Sequence, residues 1–194
     1  MAIRNEKLDG LKVVLGVSGG VAAYKAVDLA SKLTAAGAEV RTVMTENSLR
    51  MVGAKSFEAV TGGPVYTSMW EEVQEYEIGH VSLADWVDVV VVAPATANII
   101  GKVANGICDD LLSTVLCASW QKPAIFAPAM NEKMWENPAV QENVKILKQI
   151  GVKLIGPGKG RLACGTEGVG RMAEPMEILE AIAKIAAGLK RKSK

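Results

Sequence analysis

Apolar residues along this chain fall into two alternating patterns. Short continuous runs, at Leu11–Val17, Ala38–Met44, Val87–Ala93, Pro123–Ala127 and Val152–Ile155, predict strands buried on both faces, as in a parallel sheet covered by helices on either side. Between them the apolar positions recur three and four apart. Ala23, Ala26, Val27, Ala30 and Leu33 form one face of a helix over about 21–36, closed by Gly37. Phe57–Thr61 predicts a turn of helix, Asn47 a helix cap, and Gly62-Gly-Pro64 a loop. Ala95–Ile99 opens another helix, and Asp109–Thr114 leads into one running through Cys117. Asn137-Pro138 supplies an N-cap and a first-turn proline for a helix to Ile150, and Glu174-Pro175 starts a closing helix to about Ala187. This alternation predicts an α/β fold, a single-domain doubly wound parallel sheet over 10–187, with a short extension (1–9) before it and a basic tail (188–194) after it.

The polar residues of interest fall where strands end. Pro128 stops one strand because proline has no N–H for the ladder. Ala129, Met130 and Asn131 therefore sit on the rim of the sheet, where open α/β folds hold ligands. Asn131 offers a neutral donor and acceptor there, or else caps a helix through Met134-Trp135. After the first strand, Ser18-Gly-Gly20 leads into a helix, which makes a phosphate cradle of backbone N–H groups. It carries no Gly-Lys-Ser/Thr and is not G-x-G-x-x-G, so the nucleoside-triphosphate loop is excluded and the dinucleotide fingerprint is not met. Hydroxyls at Ser18 and Thr45 suit a mononucleotide phosphate better. Thr96 and Asn98 add small polar groups at a third strand end. The segment Gly156–Met172 holds six glycines and no apolar period, which predicts a functional loop, mobile when empty. Cys164 lies in its middle, with Arg161 and Arg171 on either side.

Composition narrows the classes. Hydrophobic residues make up 49% and aromatics 5%, with mean hydropathy +0.20, so the core is aliphatic and a buried subunit interface is expected. A net charge of +1 gives no footprint for nucleic acid or an anionic membrane. No apolar run reaches the ~20 residues that span a bilayer, and the N-terminal Met-Ala-Ile-Arg-Asn-Glu lacks a signal-peptide pattern; a cytoplasmic protein is expected. Three cysteines without a C-x-x-C pair suggest neither a disulfide framework nor a zinc site, and Cys108 and Cys117 are expected as small core residues. The single histidine, His80, excludes a multi-histidine metal centre, and no metal is expected. Near a helix start, His80 is either structural or a base.

Ser18-Gly-Gly20, the His80 segment, Pro94-Ala-Thr-Ala-Asn98, Pro128–Trp135 and Ala163–Met172 together resemble the homo-oligomeric flavin-containing cysteine decarboxylases, the phosphopantothenoylcysteine decarboxylases among them. The resemblance runs over about 10–186. It implies a Rossmann/flavodoxin-like three-layer sandwich that binds FMN. It also implies decarboxylation of 4′-phosphopantothenoylcysteine to 4′-phosphopantetheine in coenzyme A biosynthesis, through a thioaldehyde and an enethiolate. By the same analogy His80 is the base, Asn131 binds the substrate carboxylate and Cys164 is the proton donor. Ser18, Gly19, Thr45, Thr96, Ala97, Asn98 and Ala129 map to the FMN site, and Met134, Arg161 and Ala163 join Asn131 on the substrate side. In the family FMN lies between protomers of a trimer, often assembled further to a dodecamer. The common bacterial form continues into a phosphopantothenate–cysteine ligase; here that activity is expected to be absent, and the ligase, fused or separate, is an expected partner. A peptidyl-cysteine decarboxylase of the lantibiotic type and a non-catalytic flavoprotein regulatory subunit share the same parts and stay open. A flavin prenyltransferase shares the fold, but Asn131 and the cysteine loop argue against it.

Overall fold

The computed structural model describes residues 8–70, 79–163, 165 and 167–192. Its centre is a six-stranded parallel sheet in the order β3-β2-β1-β4-β5-β6, made of β1 (Lys12–Val17), β2 (Glu39–Met44), β3 (Val65–Tyr66), β4 (Val89–Ala95), β5 (Ala124–Pro128) and β6 (Lys153–Leu154). The chain starts in the middle, winds outward through β3, and crosses back beside β1 to wind the other way. That reversal leaves a crevice between β1 and β4 at the carboxyl ends of the strands.

Each face of the sheet is covered because each central strand is apolar on both sides. β4 is buried at every position. One layer holds α1 (Ala23–Ala35), α3 (Ala54–Thr61) and the closing helix α9 (Pro175–Lys192). Ala23, Ala26, Leu29, Ala30 and Leu33 of α1 supply its buried stripe, and their small side chains let α9 lie close through Ile178, Ala181 and Ile182. The other layer holds α4 (Gly79–Trp86), α5 (Ala97–Ala104), α6 (Leu111–Ala118) and α8 (Pro138–Gln149), packed on Val14, Val90, Val92 and Phe126. Two short helices, α2 (Glu46–Leu49) and α7 (Glu132–Trp135), sit at strand ends. The sheet is thus the middle of a three-layer α/β/α sandwich, doubly wound as the pattern predicts.

Several local expectations are corrected. The glycine-rich segment 156–172 is not simply a loop: β7 (Gly158–Arg161) and β8 (Glu167–Arg171) pair as an antiparallel hairpin. Its glycines let it approach other backbone. A Cβ on Gly168 would meet the Glu132 carboxylate at 2.2 Å, and one on Gly170 the Met130 carbonyl at 2.1 Å. Instead Val169 N–H donates to Glu132 Oε1 at 3.2 Å and Met130 N–H to Gly170 O at 3.0 Å, which tie the hairpin to α7. Asn47 does not cap α2; Thr45 holds that position. Cys108 and Cys117 are exposed rather than in the core. The loop at Gly62-Gly-Pro64 runs straight into β3, two residues too short to show an apolar pattern. α9 continues to Lys192, past the expected end near Ala187. No helix among the described residues is long and apolar enough to cross a membrane.

Candidate active site

Four strand ends and the hairpin enclose one cavity of about 1060 Å³ over the crevice between β1 and β4. Ser18 and Gly19 come from the end of β1, Thr45 from β2, Thr96, Ala97 and Asn98 from β4, and Ala129, Asn131 and Met134 from β5. Arg161 and Ala163 reach it from the hairpin. Parallel strands deliver these distant segments to one edge, so residues more than a hundred positions apart share a wall. His80 does not join them. It is half-buried on α4, which packs against α6, and does not line the cavity of its own chain. Cys164 lies outside the described residues.

The floor of the cavity is set by Ser18, which is 2% exposed. Its hydroxyl donates to Pro94 O at 2.7 Å and lies 3.0 Å from both Thr96 Oγ1 and Thr96 N–H. These bonds lock the β1 turn onto the β4 turn. They also occupy Thr96, so α5 begins without a side-chain cap, and α1 likewise has none. Uncapped first-turn N–H groups beside a cavity are donors for an anion. Gly19 is required by space: a Cβ there would meet Asn47 Cβ at 2.4 Å and the Asn47 carbonyl carbon at 2.9 Å.

One buried polar atom at this rim has no partner, the hydroxyl oxygen Thr45 Oγ1. A buried hydroxyl left unpaired costs about 1–3 kcal/mol, which a ligand's hydrogen bond would offset. With the uncapped helix starts and the close Gly19 turn, this fits a phosphorylated flavin side chain. These are the residues the sequence expects at a phosphate cradle, and they line one cavity.

Asn131 takes the helix-cap role and also stands at the cavity wall. Its Oδ1 accepts from Lys133 N–H at 2.9 Å and caps α7, while the residue lines the cavity. Fixing the carbonyl oxygen in the cap sets the plane of the amide at the cavity wall.

Charged groups missed by the sequence reading line the same cavity. Lys102 Nζ lies 2.6 Å from Asp109 Oδ1 and 2.6 Å from Asp110 Oδ2. Asp110 also caps α6 in a reciprocal box with Ser113, accepting from its N–H at 2.8 Å. Burial alone would raise the Asp110 carboxyl, but the Lys102 ion pair and the Ser113 hydrogen bonds outweigh it and hold it below the ordinary value. Burial likewise disfavours the charged Lys102, yet the two carboxylates raise it. Deeper in, Lys25 is buried and pairs with Glu174 at 2.9 Å, and Arg171 meets the same carboxylate oxygen at 2.7 Å. The Lys25 hydrogen bond is the main cause of a lowered Glu174, with burial opposing and Arg171 adding to it. Lys25 lay hidden because it interrupts an apolar helix face and meets its partner 149 residues later. No group of three or more His, Cys, Asp or Glu among the described residues could hold a metal ion.

Fold and site together define a doubly wound α/β protein with a cavity at the switch point of its sheet, the place where such folds hold nucleotides. The chain belongs to the flavoprotein family, whose match runs over residues 1–187. Among curated relatives, the coenzyme A biosynthesis bifunctional protein CoaBC of Bacillus subtilis is 48% identical over 173 residues, covering 89% of this chain and 42% of the relative. The chain thus spans less than half the length of such relatives. Among solved structures, a cysteine-to-serine variant of PPC decarboxylase complexed with pantothenoylaminoethenethiol superposes with a TM-score of 0.85 at 38% identity, covering 91% of this chain and 98% of that one. The FMN-binding protein AtHal3 gives 0.78 at 38% identity, covering 95% and 98%.

Proposed function

We propose that this chain is an FMN-dependent decarboxylase that converts 4′-phosphopantothenoylcysteine to 4′-phosphopantetheine. The observation that carries this reading is the meeting of the Ser18, Thr96, Asn131 and hairpin segments around one cavity, in a chain that matches nearly all of a solved PPC decarboxylase. Ser18, Gly19, Thr45, Thr96, Ala97, Asn98 and Ala129 would hold the flavin mononucleotide. FMN, when bound, supplies a two-electron oxidation at the carbon bearing sulfur and returns those electrons after carbon dioxide has left.

The rest falls to the chain's own residues. Asn131 orients the substrate carboxylate with a neutral donor; a cationic partner would stabilise the carboxylate before reaction and oppose its loss. Met134, Arg161 and Ala163 enclose the substrate from α7 and the hairpin. Cys164 delivers the proton to carbon, and His80 takes the proton of the substrate thiol. Because His80 does not line its own chain's cavity, the reading includes a homo-oligomer in which His80 of one protomer serves the cavity of a neighbour. The exposed apolar Val21, Tyr24 and Met134 at the cavity mouth, and Val81 beside His80, suit such an interface.

The test compares substrates. With FMN bound, phosphopantothenoylcysteine should be decarboxylated with a kcat/KM at least a hundredfold above that of a peptide ending in cysteine, read by mass spectrometry of the products. A peptide turned over as well or better would move the assignment to a peptidyl-cysteine decarboxylase.

A further inference from the structure

Behind α5 and α6, away from the flavin cavity, a recess of about 270 Å³ has Cys108 and Cys117 on its wall. Both thiols are exposed. Cys108 sits in the turn before α6, its carbonyl 3.4 Å from the Thr114 hydroxyl and its sulfur 3.6 Å from Gly106 O. Cys117 follows Thr114 by three positions, on the same face of α6, so the helix presents its thiol towards Cys108. Both side chains line the same recess, which places the two thiols as neighbours. Although Cys108 is exposed, the desolvation it does have is the largest cause that raises its thiol above the ordinary range, and the neighbouring Cys117 is the next.

The position of this pair in the chain matters more than its surroundings. Cys108 is joined by one peptide bond to Asp109, which pairs with Lys102 on the wall of the flavin cavity. Asp110 then caps α6, the helix that carries Cys117. A change in the link between the turn and α6 therefore acts on two cavity-lining carboxylates at once.

We propose that Cys108 and Cys117 form a redox modification site: they close to an intramolecular disulfide that restrains the 105–110 turn and, through Asp109, weakens substrate binding in the adjacent cavity. The oxidant is a low-molecular-weight disulfide. A thiolate of the pair attacks it, forming a mixed disulfide and expelling one thiolate. The second cysteine, deprotonated, attacks the protein-bound sulfur and expels the other. Two protein thiols are oxidised by two electrons, one small disulfide is reduced to two thiols, and the protons go to those thiols. The cross-link stands independently of the decarboxylase reading; its effect on substrate binding rests on it.

The experiment uses the assembled, FMN-loaded protein with oxidised glutathione as the probe. After equilibration and removal of excess, free thiols are alkylated and the protein is cut with trypsin. Because Lys122 precedes Pro123, residues 103–133 leave as one peptide that contains Cys108 and Cys117, while Cys164 leaves on 162–171. The expected peptide has lost two hydrogens and takes no alkylating agent. Initial rates, taken before the substrate's own thiol reduces the link, should show KM for phosphopantothenoylcysteine raised about threefold or more, with FMN retained, and restored by a phosphine reductant. Cys117→Ser should carry one glutathione on Cys108 and keep its KM, which also reports any oxidation at Cys164. A peptide bearing two glutathiones, one still fully alkylated, or a linked peptide with unchanged KM would overturn the proposal. Absence of turnover in the reduced protein would count instead against the decarboxylase reading, with the peptide mass still deciding whether the link forms.

Discussion

Asn131 shows how one side chain can cap a helix and line a cavity together. Its carbonyl oxygen caps α7, which leaves the amide fixed at the cavity wall. Asn131→Asp keeps an oxygen to cap the same N–H, so α7 should hold its place. What changes is charge: a carboxylate now faces the substrate carboxylate in a shielded site. KM for phosphopantothenoylcysteine is expected to rise tenfold or more, about 1.4 kcal/mol, with FMN binding unchanged. Steady-state kinetics with a flavin titration reads both, and an unaltered KM would remove Asn131 from carboxylate binding. Asn131 was legible because a proline-terminated apolar run fixes where a strand stops. Lys102, Asp109 and Asp110 were not. Nothing in a short polar turn says which way its charges face until α5 and α6 are packed.

At the scale of elements, strands and long helices were readable because burial on both faces leaves a continuous apolar run, and burial on one leaves a stripe. The hairpin was not, since its strands are built on glycine. Gly158, Gly160, Gly168 and Gly170 nevertheless recur with the period of two that a strand imposes. That spacing was the available signal, and the contacts of Gly168 and Gly170 with α7 explain it. Cys108 and Cys117 misled in the opposite way, because a small apolar residue beside a helix is compatible with either face. The α6 cap carries a testable charge. Asp110 has its carboxyl held below the ordinary 3.8, so it contributes stability that is fully present above that value and lost as pH falls through the folded value. Asp110→Asn preserves a capping oxygen and removes the ion pair with Lys102. It should destabilise by about 1 kcal/mol at pH 7, measured by urea unfolding, and the gap should close as pH falls through the lowered folded value. A gap independent of pH would mean that the charge contributes nothing.

The whole molecule assembles its cavity from four strand ends and a hairpin, yet leaves His80 on α4 outside it. The proposed site shared between protomers would reconcile these positions. A His80→Asn variant, inactive or nearly so alone, and an Asn131→Asp variant, weak in substrate binding, should then regain activity at low substrate when co-refolded, because mixed oligomers contain interfaces with both wild-type residues. For a random mixture about a quarter of the sites are intact. No recovery in verified mixed oligomers would place His80 outside the reaction. The central claim, flavin-dependent loss of the cysteinyl carboxylate, has a more direct measurement. The FMN-loaded protein is given phosphopantothenoylcysteine labelled with carbon-13 in that carboxylate, and released carbon dioxide is followed by mass spectrometry. The account predicts labelled carbon dioxide matched one-to-one by phosphopantetheine, continuing over many turnovers without added oxidant and stopping when the flavin is stripped. Full FMN binding with no labelled carbon dioxide would contradict it and leave a flavoprotein that binds without catalysing.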